Sequence, residues 1–458
     1  MSAKTKFNLT EGPILNRLIA ISLPIMATSV MQMAFNLADM YWLSHLSDRA
    51  VAAAGTAGMY LWLSMAFIVI ARMGAEIGVS QNIGRGDEAA AKKYAQQALM
   101  LSIVLGVIYA AVTIVFRGSL IAFFDIDDAL VVLQAEQYLA FTAIALPFAF
   151  GHMVITGVFN GFGNTKLPFY INSACLALNI AITPIFIFTL EMGIIGAAVG
   201  TIIAWAVNLV LKLWALTRYV GRPFETFEFI GKIEVDKIKQ IFKWGVPVAI
   251  ESALFTFLFM VVSRFVASFG YGAIAAQRVG SQVESLSWMM AVGFASAVTA
   301  FMGQNYGAKK YGRLAQGYKI SIIAMALYGA FVSVVLFVFA RPMISVFLYD
   351  PEAIAMGTSY LRVFAFTQIL TCMEGVAAGA FRGKGLTIKP TIVSVSCNIL
   401  RVIFAYALGT TALGIDGIWI GIAISVVIRG IWMLVWYQIN SRKLPKVDED
   451  KAIVHNPS

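Results

Sequence analysis

Asp39 stands in the stretch NLADMYW, residues 36–42, near the end of a hydrophobic run with no other charge from Leu18 to Ala38. A carboxylate in hydrocarbon costs at least about 2.5 kcal/mol on the mildest insertion scale, so it marks a place where a proton or a cation can be taken up. Ser22, Ser29, Gln32, Asn36 and Asp39 follow one another at spacings of seven, three, four and three residues, which puts them on one face of a helix. Pro24 lies below most of that stripe, lacks an N–H and lets the helix kink or bend. Asp39, Thr183 and Thr201 each sit about 12 Å from one end of their helices by helical rise, with Asn179 one turn deeper than Thr183. The shared depth predicts a small polar pocket between three helices. The plain alternative is a hydrogen-bonded core that binds nothing.

Other reactive residue types are less suggestive. Cys175, Cys372 and Cys397 fall in hydrophobic segments without metal-type spacing and read as packing residues. His45, His152 and His455 are scattered, and His152, inside a span, reads as a satisfied interior histidine. Arg72 and Glu76 are spaced to form an ion pair on one helix. In the second half, Glu251, Glu284 and Glu374 accompany Arg264, Arg278 and Arg401 and are expected to pair with them, which leaves Asp39 as the acid free to titrate. No HExxH, GxSxG or glycine-rich loop ending in Lys-Ser or Lys-Thr is present, so neither hydrolytic chemistry nor ATP is indicated, and no metal or resident cofactor is expected. Energy would come from an ion gradient.

The elements that must position these residues are membrane helices. Apolar residues make up 60% of the chain and charged ones 13%, with a mean hydropathy of +0.80, so the surrounding solvent is lipid. The fold class is an all-α polytopic membrane protein. Twelve spans are predicted, at 15–46, 50–80, 94–116, 131–160, 165–190, 193–217, 240–268, 272–303, 314–340, 354–381, 387–409 and 415–440. The first is too long for a signal-peptide core and is read as retained. With the N-terminus inside, all 18 lysines, from Lys4 and Lys6 to Lys451, fall in or beside cytoplasmic segments. That pattern predicts a multi-pass protein of the inner or plasma membrane with both termini cytoplasmic. It also accounts for the net charge of +10 without nucleic acid.

An internal repeat organises the spans. QNIGRGDEAAAKKYAQ from Gln81 corresponds to QNYGAKKYGRLAQGYK from Gln304, and Pro24 to Pro247 at the same offset of 223. GVFNGFGNTKLP (157–168) matches GAFRGKGLTIKP (379–390) at 222, and GIIGAAVG (193–200) matches GIDGIWIG (414–421) at 221. Two six-helix lobes follow, at 1–217 and 240–440, with a cytoplasmic linker at 218–239 and a polar tail at 441–458 that is expected to be disordered. An even number of spans per half gives both halves one orientation, as in transporters that rock two bundles about a shared cavity. The glycine repeats read as close helix packing rather than phosphate binding.

With Pro24 and Asp39 in helix 1, the duplication and the GxxGxG-type motif after helices 4 and 10, residues 10 to 440 resemble the multidrug and toxic compound extrusion (MATE) family, with its DinF-like branch the nearest. The resemblance implies cation-coupled antiport by alternating access and export of cationic or amphipathic drugs, by a protein taken here as a monomer in the lipid bilayer. It matches the family's bending proline to Pro24, its helix 1 acid to Asp39, and that acid's polar partners to Asn179 and Thr201. The expected cavity lining is Gln32, Met33, Asn36, Asp39 and Asn179. One departure is NIAITP in helix 5, with Thr183 where relatives often carry a second acid; another is Thr371 at an acidic position of helix 10, with Glu374 a turn further on. A single carboxylate beside a neutral hydroxyl favours H+ as the coupling ion, with Na+ the alternative. The rival functions are a lipid-linked oligosaccharide flippase of the same superfamily, which would have a strongly cationic central cavity, and an intramembrane enzyme.

Overall fold

The computed structural model describes residues 7–229 and 231–442. The tail beyond residue 442, with Lys451 and His455, and the leading Lys4 and Lys6 lie outside the described residues. The first half contains α1 (Ile14–Ser44), α2 (Asp48–Arg85), α3 (Glu88–Val115), α4 (Arg117–Ala122), α5 (Ala129–Phe162), α6 (Lys166–Pro184) and α7 (Gly193–Arg218). The second contains α8 (Val235–Ala267), α9 (Tyr271–Gly307), α10 (Tyr311–Val338), α11 (Ala340–Ser345), α12 (Pro351–Ala365), α13 (Gln368–Gly383), α14 (Ile388–Gly409) and α15 (Gly414–Ser441). Among the described residues eleven helices are long and apolar enough to cross a membrane, counting α6 with the turn that continues it, and α12 and α13, taken together as one bent span, bring the number to twelve.

That twelfth crossing corrects the sequence reading, which expects one helix over 354–381. The chain bends by 51° between α12 and α13. Side chains take the carbonyls at the bend: the Thr367 hydroxyl and the Gln368 amide both donate to Phe364 O, and Ser333 from α10 donates to Ala365 O. The short helices α4 and α11 were not foreseen, and they occupy equivalent places in the two halves at the 223-residue offset.

The lobes are interlocked at one end, here termed basal, where α1 and α8 begin and α2 and α9 finish. Leu18, Ile21 and Ile25 of α1 are buried in the core of the second lobe with Phe301, Phe381 and Tyr437. Ile241 of α8, the repeat counterpart of Leu18, is buried in the core of the first lobe. Each lobe thus inserts the start of its first helix into the other.

The repeated Gln-Asn-x-Gly segment makes the closest cross-lobe contact. Gln81 Nε2 donates to Gly383 O at 2.9 Å, and Gln304 Nε2 donates to Gly161 O at 2.9 Å and Phe162 O at 3.1 Å. Each glutamine therefore reaches the glycine motif of the opposite half. Gly84 and Gly307 make this possible, because a Cβ on either would lie 2.0 Å from Gln304 O or 1.9 Å from Gln81 O. The segment before α1 adds a strap: Leu9 N donates to Gln304 Oε1 at 3.0 Å, while Asn305 and Arg313 donate to Leu9 O. Among the described residues, the hydrogen bonds joining the lobes all lie in this basal half.

Candidate functional site

The pocket around Asp39 is built by an unusually close pair of helices. Pro184 cannot donate a backbone hydrogen bond, and after it α6 continues as a π-helical turn, Ile185–Thr189. The glycines of GIIGAAVG seat α7 against this turn. A Cβ on Gly196 would lie 2.6 Å from Phe186 O, and one on Gly200 would lie 2.5 Å from Thr183 Oγ1. Close packing was the expected role of the motif, and here it carries Thr201 to the carboxylate.

Thr201 Oγ1 donates to Asp39 Oδ2 at 3.3 Å. Asn179 lies beside the same carboxylate, fully buried, and Thr183 is equally buried. Among the described residues, Asp39 Oδ1, Thr183 Oγ1 and both polar atoms of the Asn179 amide have no hydrogen-bond partner. Orphaned buried polar groups are rare because each forfeits its hydration. Several around one carboxylate make a set of oxygens able to hold a proton or a hard cation with a single negative charge. α5 contributes Tyr138, close enough to interact electrostatically with Asp39, with Thr142 one turn on. The sequence reading missed both. The repeat offered a signal, since Tyr138 corresponds to Tyr360, which also serves an acid.

The other expected residues divide. α1 is one uninterrupted helix with Pro24 inside it. Its polar stripe does not face one environment. At Met26 and Ser29 it abuts Gly293 of α9, in the other lobe, whereas Asp39 meets α7. Gln32 is exposed and Met33 half-buried, and the side chain of Asn36 lies outside the described residues.

Three expectations about charge are corrected. Arg72 and Glu76 do not form a contact ion pair; Glu76 Oε1 instead accepts from Ser296 of the other lobe at 2.7 Å, which draws the carboxylate across the interface. The acids of the second lobe do pair, but with other arginines: Glu374 with Arg429 at 2.8 Å and Glu251 with Arg382 at 3.2 Å. Glu284 is held by Tyr360 Oη at 2.9 Å and Gln368, while Arg264 and Arg278 are exposed. Thirdly, Lys212, read from the sequence as lying in or beside a cytoplasmic segment, turns its side chain into the interior. Its side chain is fully buried, and Nζ donates to Thr156 Oγ1 and Asn172 Oδ1, both at 2.8 Å. His152 completes that cluster with Nδ1 at 3.4 Å, in keeping with an interior histidine.

Two lobes of like orientation, interlocked at one end around buried polar groups, are the body plan of a secondary transporter. A family model described as MatE matches the chain twice, over residues 24–185 and 247–407, and the protein belongs to the MATE family of membrane transporters. The two matches begin at Pro24 and Pro247, the repeat partners. The chain is 28% identical over 435 residues to the probable multidrug resistance protein NorM of Thermotoga maritima, covering 93% of this chain and 92% of that one. It is 25% identical to the probable multidrug resistance protein YpnP of Bacillus subtilis, covering 97% and 99%. In fold it resembles a crystal structure of MATE in the bent conformation, with a TM-score of 0.90 at 22% identity over 97% of this chain and 98% of that one. Members of this family are transporters, and the enzyme alternative falls.

Proposed function

We propose that this protein exports cationic or amphipathic small molecules in exchange for a coupling ion, by alternating access, as the DinF-like branch of the family would. The observation that carries the reading is the lone Asp39 carboxylate, hydrogen-bonded once and surrounded by orphaned oxygens. One carboxylate can exchange one proton for one positive charge, so a cationic substrate and the coupling ion compete for it. Thr183 adds a neutral hydroxyl and no second negative charge, which favours H+ over Na+. The family's named multidrug relatives support small-molecule drugs as substrates. The flippase reading calls for a strongly cationic central cavity, and the cations near the lobe interface are offset by Glu76 and Glu251.

The basal end carries the described lysines of the loops, from Lys92 and Lys93 to Lys384 and Lys389, and is assigned to the cytoplasm of the inner or plasma membrane. Lobes joined at that end then correspond to an outward-facing state of a monomer. The test is dye efflux from proteoliposomes at fixed pH with imposed gradients. Transport driven by a proton gradient and stopped by an uncoupler is expected. Persistent sodium-dependent transport with the proton gradient collapsed would replace H+ by Na+, and no gradient-driven flux of any dye would overturn the antiport reading.

A further inference from the structure

The cluster around Lys212 has no part in the Asp39 chemistry. Among the described residues no carboxylate stands at ion-pair distance from Lys212 or Arg72. Both nevertheless act electrostatically on His152, so three basic groups share one region of the first lobe. Arg72 Nε and Asn208 Oδ1, both buried, have no hydrogen-bond partner among the described residues. Glu76, one turn from Arg72, accepts from Ser296 through Oε1 and offsets Arg72 electrostatically, which leaves the ammonium of Lys212 as the cation without an acid. Lys212 is therefore met by neutral acceptors alone among the described residues, and a charge so placed inside a membrane domain is costly and marks a candidate ligand site.

The repeat sharpens the point. At the positions equivalent to His152, Arg72 and Lys212 the second lobe has Glu374, Ala295 and Met433, so a membrane lobe of this design is built without the ammonium and with an acid where the imidazole stands. The neighbouring walls are apolar and aromatic: Trp205 stacks with Phe35 of α1 at 6.3 Å and lies 6.4 Å from His152.

We propose that Lys212 and Arg72, supported by His152, Asn172 and Asn208, form a receptor for the carboxylate of an amphipathic substrate whose aromatic body lies against Phe35 and Trp205. A carboxylate in place of the neutral Asn172 oxygen turns the ammonium's 2.8 Å contact from an ion–dipole bond into a hydrogen-bonded ion pair. This rests on the efflux reading and names a substrate class within it: zwitterions and acids in addition to simple cations. Thr201 and Lys212 are eleven residues apart on α7, a rise of about 16 Å, so the anion receptor and the Asp39 pocket are separate ends of one lobe.

The test compares rhodamine B with its ethyl ester, two dyes alike except for the free carboxylate, by fluorescence anisotropy on the purified protein in phosphatidylcholine nanodiscs. The wild type is expected to bind the acid about tenfold more tightly than the ester, as a hydrogen bond to a charged group allows. Lys212→Met should abolish that preference by weakening the acid alone, and Lys212→Arg should keep it. Equal preference in the wild type and Lys212→Met would overturn the proposal, as would a wild type that binds the ester and shows no preference. If Lys212 variants do not fold, Arg72→Gln decides, with a loss of at least threefold expected and an unchanged ratio overturning the proposal. Ester binding without acid preference sinks this inference and leaves the efflux reading standing; failure of the wild type to bind either dye would sink both.

Discussion

The two lobes share one framework and treat buried charge in opposite ways. In the second, acids are closed off: Glu374 pairs with Arg429, Glu251 with Arg382, Glu284 is bonded to Tyr360, and the Arg401 guanidinium sits 5.4 Å from the centre of the Phe255 ring. In the first, the equivalents of Arg401 and Arg429 are the neutral Asn179 and Asn208, and Asp39 has no acid counterpart, its partner position being Val262. A buried ion pair with good geometry resists titration and holds helices in place, whereas a carboxylate with one 3.3 Å bond can change its charge at modest cost. The two copies of the scaffold thus differ in charge, and the first holds the carboxylate proposed to titrate.

The comparison is most directly broken by exchanging the acids for amides. Asp39→Asn should reduce gradient-driven dye efflux to the level of empty vesicles, while Glu284→Gln should retain it within about twofold, with both proteins still monodisperse on gel filtration. The reverse ranking would move the titrating role to the second lobe. Next in size, Arg429→Met strands the Glu374 carboxylate and should cost about 3 kcal/mol or more in unfolding assays, with most of the loss recovered in the Arg429→Met/Glu374→Met double variant. No recovery would mean that the pair is not the unit that matters.

A smaller effect is expected at the basal contact. Gln304→Ala removes two donated bonds and one accepted from Leu9 N, and should favour basal opening by about 1–3 kcal/mol; Gln81→Ala, which removes one, should do less. Alkylation of a cysteine placed at the buried Ser80 reads the opening, and equal rates in both variants and the wild type would remove any gating role. Smallest is the linker. Lys237 and Lys93 hold the half-buried Glu234 carboxyl below its ordinary range by hydrogen bonds and charge. Its stabilisation is therefore present above the ordinary carboxyl pKa of about 4.3 and is lost as pH falls through the lowered value. Melting curves of wild type and Glu234→Gln should differ slightly at pH 6 and converge in acid; a constant gap would exclude this source.

Much of the fold was legible because lipid imposes long apolar segments and the repeat ties their order together. The bend at 366–367 was not, since it depends on side chains from α10 and α13 that meet the backbone only in the folded chain. In the pocket, Asp39, Thr183 and Thr201 could be grouped by depth, with Asn179 one turn deeper than Thr183, and the family resemblance named Asn179 and Thr201 as the acid's partners. Tyr138 escaped because a tyrosine in a membrane helix has no local mark distinguishing a lining group from a packing one. Lys212 escaped for a related reason: six residues from the end of α7 it reads as a loop-side cation, and only the approach of α5 and α6 shows that its head turns inward. The partners of Glu251 and Glu374 were likewise set by helix rotation, which spacing along one chain does not fix.

The reciprocal glutamine contacts have the form of an isologous interface, in which residue i of one body meets residue j of the other and j meets i. Two identical half-length chains related by a two-fold axis would satisfy such an interface without any asymmetry. The tandem protein keeps that reciprocal contact inside a single polypeptide while its halves differ in buried charge.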